Sequence, residues 1–336
     1  MFKQNLKTLI TFFLLLTCFP AFSQTFKIST LYPDGTEILV ELKKAAKEIQ
    51  TKTDGRVKFK FYPGGVMGDD KAVFRKIRIG QLHGAILQSG AVAQFYKDSQ
   101  IYVSPLLFKN FEEVDYVRSK MDQKIIDGLD KSGWTTFGLI DGGFAYAMSG
   151  RPVKNIGDLR KQKLWLPAND PISEKIAESI DVNPIVLNIG EVHTALQTNA
   201  INAFAAPPIA ALTLRWSSKV SYITDIPLMY AYGLMTIQKK SFSKLTQEDQ
   251  ILTQNILSQV FQKLDTNSRK DSIKAFSAVL GQGVEPVVPD EKDQMEWKFY
   301  AEKVTRDLVA KKEYSQEILD EVSQLLEDFR NKQQKI

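Results

Sequence analysis

"RVKFKFYPGGVMGDDKAVFRKIRIGQLHGAILQSG", from Arg56 to Gly90, decides the fold class. Its opening alternates strictly, with Val57, Phe59 and Phe61 on one face, the period of a half-buried strand. From about Asp70 to Ile79 the spacing predicts a helix, stopped by Gly80. A short apolar strand and a turn follow. Strand, helix and strand in this order argue an α/β domain with a mostly parallel sheet.

The flanking chain continues the alternation. "TFKIST" (Thr25 to Thr30) is a β-type run, and Ile38, Leu39, Leu42, Ala45, Ala46 and Ile49 recur at helical spacing until Asp54 and Gly55. "TALQTNAINAFAAPP" (Thr194 to Pro208) repeats the grammar of Arg75 to Gly90, with Asn199 where Gly80 stood. Glycine and asparagine are the two residues that end a helix cheaply in the left-handed region. The echo suggests two similar lobes, although helix, stop and strand recur in any α/β protein. "KQKLWLPANDP" (Lys161 to Pro171) reads as a strand end, with Asp170 as an N-cap and Pro171 at the first helical position. Thr246 and Asp249 open a long helical pattern, with Ile251, Leu252, Ile256, Leu257, Val260, Phe261 and Leu264 in its stripe. The period resumes through Ile273, Phe276 and Leu280 to Gly281, long enough to bridge two lobes. Glu313 to Lys335 predicts a surface helix with Ile318, Val322, Leu325 and Leu326 inward.

Composition narrows the function. Lys3 and Lys7 precede an uncharged apolar run from Leu9 to Phe22, and Ala21-Phe22-Ser23 fits a small-x-small cleavage site. Residues 1–23 are therefore expected to be a secretory signal peptide, and the mature chain to be periplasmic. The rival reading is a lipoprotein acylated at Cys18, the only cysteine. About 313 residues remain, enough for two domains. The formal charge of +5 falls by two with the signal peptide, too weak a balance to argue for nucleic acid. His83 and His193 are the only histidines, and neither has carboxylates at metal-ligand spacing. No metal or cofactor is expected, and neither phosphate-binding glycine spacing is present.

The chain resembles the DctP-type solute-binding proteins of tripartite ATP-independent periplasmic (TRAP) transporters. Four segments carry the resemblance in order over about 150 residues: "YPGGVMGDDKAVFRKIRIGQLHGAI", "VSPLLFKNFEEVDYV", "RPVKNIGDLRKQKLWLP" and "GEVHTALQTNAINAFAAPP". The resemblance implies a two-lobed periplasmic binding protein with mixed sheets, helices on both faces and a long helix spanning both lobes. It implies lobe I at 24–142 plus 232–271, lobe II at 143–231 plus 272–336, and a ligand cleft between them. It also implies partners: a small-molecule ligand, the small and large membrane subunits of a TRAP permease and, in some branches, a tetratricopeptide-repeat protein.

The departures from the family pattern fall on its ligand-holding positions. The family arginine that clamps a ligand carboxylate through two parallel hydrogen bonds is matched here by Trp165. A second family arginine is matched by Ala145 in "GGFAYA", the ligand-binding asparagine by Ala206, and the acidic or polar position of the first lobe by Gln88. Leu31 and Tyr32 follow the first strand, and Tyr146 and Tyr232 are weaker candidates. Leu164 and Leu166 share one face of their strand, which turns Trp165 to the other. Arg151 and Arg160 flank the site in loop or surface context.

An indole offers one N–H and no charge, and a desolvated carboxylate without a cation costs several kcal/mol. The expected ligand is therefore uncharged, apolar or aromatic, held by burial and by stacking on Trp165. Each apolar group the size of a leucine side chain contributes roughly 1.5–3 kcal/mol. Two other classes stay open, a ligand-sensing domain for a signalling partner and a periplasmic carrier of a hydrophobic ligand. An enzyme is the least supported class, because these positions hold no acid–base or nucleophile–base pair.

Overall fold

The computed structural model describes residues 23–333 apart from Asn169. The expected signal peptide, save its last residue, and Cys18 lie outside the described residues. Ten strands form one continuous sheet: β1 Gln24–Thr30, β2 Val57–Tyr62, β3 Gly84–Gln88, β4 Trp134–Ser149, β5 Leu164–Pro167, β6 Ile185–Leu187, β7 Ala203–Ala206, β8 Tyr222–Thr224, β9 Met229–Gln238 and β10 Glu285–Val287.

The first half of the sheet runs β2-β1-β3-β9-β4, and the second continues from β4 through β7-β5-β6. β8 pairs with the end of β4, and β10 with β8. The parallel expectation holds among β1, β2 and β3 and among β5, β6 and β7. β9 and β4 run antiparallel to their neighbours, so the sheet is mixed. β4 is the join: its first part pairs with β9, and Tyr146–Ser149 pair with Ala206–Ala203 of β7. Where it crosses, the register slips between Asp141 and Gly143. Gly143 has φ +81, and a Cβ on Gly142 would lie 2.8 Å from the Ala231 carbonyl oxygen. The two glycines allow a bend that a side chain would obstruct.

Local signals explain the elements. Val57, Phe59 and Phe61 enter one apolar cluster with Phe26, Ile28, Leu39 and Leu42. Gly80 and Asn199 both take positive φ, +78 and +54, beyond the ends of their helices. The Asp170 side chain caps the helix Pro171–Ser179 by accepting from the Ser173 amide, and Thr246 does the same for Asp249. Gln247–Gly281 is one helix of 35 residues, about 50 Å long. It packs on β4 and on the helices Glu37–Lys52 and Pro208–Thr213, and so spans both lobes. Two residues of its expected stripe are exposed instead, Ile251 at 54% and Ile273 at 56%. The helix touches different partners along its length, so one stripe does not serve throughout. The last helix, Gln316–Gln333, buries Ile318, Val322 and Leu326 as its spacing predicts.

Candidate functional site

Where the halves face each other, the ends of β3 and β5 meet. Gly90 follows β3 and Asp170 follows β5, and a Cβ on Gly90 would fall 2.6 Å from the Asp170 carboxylate. Asp70, at the start of the helix Asp70–Arg78, faces the same seam. Burial, then the charges of Asp69 and Asp170, push its carboxyl up to about 6. No hydrogen bond or ion pair reaches the Asp70 carboxylate among the described residues. Burial also raises Asp170, against the hydrogen bonds it accepts from Ser173.

The seam is thus closed by carboxylates, and its pH dependence follows. Asp70 has a higher pKa folded than unfolded, so the folded state binds more protons between about pH 4 and 6. Its contribution is most favourable below that window and falls as pH rises through it. Chemical denaturation at pH 5 and pH 7.5 checks this: the wild-type protein gains stability at pH 5 relative to Asp70→Asn. Equal shifts in the two proteins would remove the assignment.

The residues expected at the site divide into two groups. Gln88 is exposed at the end of β3, in register with Gly233 of β9. Tyr32 is half-buried, with its hydroxyl 3.8 Å from a Cβ built on Gly233, and Leu31 is 36% exposed against Gly65. Tyr232 is buried and its hydroxyl donates to the Ser99 carbonyl at 2.9 Å. In the second half, Tyr146 pairs with Ala206 across β4 and β7, and both Ala145 and Ala206 are buried.

Trp165 corrects the expectation. It does face away from Leu164 and Leu166, which join a different cluster. That face is core, however, and the indole is only 4% exposed. Trp216 packs edge-on at 5.1 Å, and the indole N–H donates to the Leu187 carbonyl at 3.0 Å. Its one polar group is used, and its faces are covered by residues distant in sequence, so it is not open for stacking. Arg160 is likewise committed, to the Ile180 carbonyl and the Tyr300 hydroxyl. The His83 ring accepts from the Lys27 amide at 3.1 Å, a strand-edge role.

A buried ionic network at the crossing went unread in the sequence. Asp141 of β4 accepts from the Tyr230 and Ser272 hydroxyls, each at 2.8 Å. Arg269 Nε lies 2.9 Å from the same carboxylate without the alignment of a hydrogen bond. Arg118 reaches Asp122, Asp265 and the Tyr230 hydroxyl. These residues tie β4 and β9 to the helix Phe111–Lys131 and to the long helix. Their partners stand more than 80 residues apart in sequence, apart from Arg118 and Asp122 at i and i+4.

Residues 28–312 match the model of the bacterial extracellular solute-binding proteins, family 7. The chain belongs to that family. Among its relatives is the sialic acid-binding periplasmic protein SiaP of Vibrio cholerae, 22% identical over 250 residues, 74% of this chain and 78% of the relative. A TRAP periplasmic solute-binding protein of Haemophilus influenzae with bound L-gulonate superposes with a TM-score of 0.79 at 19% identity, covering 90% of this chain and 100% of the other. One from Xanthobacter autotrophicus with bound β-D-galacturonate gives 0.79 at 16%, covering 90% and 99%. This family 7 protein is accordingly a TRAP-type solute-binding receptor with the two-lobed α/β fold, and not an enzyme. Among its described residues no helix is long and apolar enough to cross a membrane, and no cluster of metal-ligating side chains occurs.

Proposed function

We propose that this receptor captures an uncharged, largely apolar or aromatic small molecule between its lobes and delivers it to the two membrane subunits of a TRAP permease. The observation that carries this reading is the charge at the seam. The positions matched to the family's clamping arginines and asparagine are Trp165, Ala145 and Ala206, and the groups that close the seam are Asp70 and Asp170. A carboxylate ligand would enter a site closed by carboxylates and without the family's clamping cations at the matched positions, a costly arrangement in a partly desolvated cleft. Burial alone is the alternative source of affinity. A lobe division at 24–142 plus 232–271 and 143–231 plus 272–336 accompanies the reading, supported by the bend at Gly142–Gly143. Periplasmic residence after signal-peptide removal belongs to it as well, as does any tetratricopeptide-repeat partner that hands over the ligand.

A second reading is favoured by the relatives, whose named ligands are acids. One experiment separates the two. The purified protein is denatured and the released small molecules are identified by mass spectrometry, and thermal melts are run with sialic acid, L-gulonate and succinate. The proposal expects a neutral or aromatic compound and no rise in Tm with any of the three acids. Recovery of a sugar acid or C4-dicarboxylate, or stabilisation by one of them, would falsify it.

A further inference from the structure

A hollow of about 250 Å³ lies on the face of β4 that carries Phe144 and Tyr146. Ala145, the position matched to a family arginine, alternates to the opposite face of the strand. The hollow is therefore on the other side of β4 from that position and on the face of Ala206, which pairs with Tyr146, and neither Gly90 nor Asp170 lines it. Phe111, Phe144, Tyr146, Phe276 and Pro207 form its walls, and Ser272 of the long helix joins them. The rings meet in tilted pairs, Phe111 with Phe144 and Tyr146 with Phe276, each at 4.9 Å.

Two further observations point to an occupant. The Tyr146 hydroxyl, on a half-buried side chain, has no hydrogen bond among the described residues. The hydroxyl is therefore free to donate to an occupant of the hollow that its side chain lines. Burial, and then the Asp225 charge, push this phenol up to about 12, so it stays a neutral donor at physiological pH. Ile273 lines the same hollow at 56% exposure, although it belongs to the apolar pattern of its helix. The nearby charges Asp141 and Arg269 face each other at 2.9 Å, and the remaining charge felt by Tyr146 is the carboxylate of Asp225, which disfavours an anionic ligand.

We propose that this hollow binds a small neutral molecule with one aromatic ring and one hydrogen-bond acceptor. The ring packs among the four aromatic walls, and the acceptor takes the Tyr146 hydroxyl. The volume falls just under the range of about 300–1,000 Å³ usual for larger ligands, which suits a single ring. Gly143 of the crossing strand and Ser272 of the long helix both line the hollow, and a Cβ on Gly143 would lie 2.9 Å from Ser272 Oγ. An occupant would therefore touch both of the elements that bridge the lobes, which already pack directly on each other. The inference is independent of what the seam holds.

Acetophenone is the probe, titrated into the purified protein by calorimetry and followed by saturation-transfer NMR. The expected result is one saturable site with Kd at or below about 1 mM. Tyr146→Phe, which removes only the hydroxyl, weakens binding about fivefold. Ser277→Trp places an indole on the exposed rim and abolishes binding, with Tm and circular dichroism unchanged. A wild-type protein without saturable binding overturns the proposal, as does binding that survives Ser277→Trp. An unchanged Kd in Tyr146→Phe overturns the acceptor half of the assignment.

Discussion

Asp141→Ala lowers the unfolding free energy by about 3–5 kcal/mol, the range seen when one member of a buried charge pair is removed. The side chain is fully buried. Its loss leaves the Ser272 and Tyr230 hydroxyl protons without their acceptor and takes from Arg269 its buried carboxylate, leaving Asp115, at 65% exposure, as the remaining partner. Burial raises the Asp141 carboxyl above the ordinary carboxylate range while Arg269 opposes the rise. Asp141→Asn keeps an acceptor for one of the two hydroxyls, sets an amide NH2 against the other and loses the charge, so it falls between alanine and wild type. Thermal unfolding measures the series, and a fall in Tm of roughly 5–10 °C is expected for alanine. A melting point within 1 °C of wild type would show that the network adds nothing to stability.

That network also marks the limit of what the sequence displays. Elements set by neighbours within a few residues were legible. β2 was visible because Val57, Phe59 and Phe61 alternate, and the helix after β5 because Asp170 caps it. The left-handed stops at Gly80 and Asn199 were visible because few residues take that conformation cheaply. β4 has no comparable signature. In "WTTFGLIDGGFAYAMS" small and apolar residues are buried on both faces, so no period of two emerges, and glycines interrupt the run. Its partner β9 begins 80 residues after β4 ends, a separation that leaves no local trace.

The candidate site divides along the same line. Alternation placed Trp165 on the face away from Leu164 and Leu166, as found. What covers that face depended on Trp216, which arrives from beyond β7. The pattern around Asp70 carried the family resemblance, yet its approach to Asp170 depends on how the lobes meet. The family resemblance therefore pointed to the positions that lack a cation, and only the folded chain showed that carboxylates stand at the seam.

Gly90→Val holds the seam open. The backbone at Gly90 is not in the left-handed region, so valine is tolerated by the chain itself. The obstacle is across the seam, where its Cβ would fall 2.6 Å from Asp170 Oδ2. That carboxylate cannot swing aside freely, because its oxygens accept from the Ser173 amide at 3.1 Å and the Ser173 hydroxyl at 2.7 Å. Losing such a cap costs about 1 kcal/mol. Relief comes more cheaply from rotation at Gly142–Gly143, which moves the lobes as bodies. The variant therefore keeps its secondary structure and Tm but shows a larger radius of gyration in small-angle scattering. Apparent affinity for whatever the seam holds falls about tenfold or more, because the closed form becomes a minor population. Gly90→Val with Asp170→Ala restores the compact form, since the clashing carboxylate is gone. If the single variant scatters like wild type, the contact yields locally and the seam does not govern closure. If the double variant stays open, something other than Asp170 stands in the way.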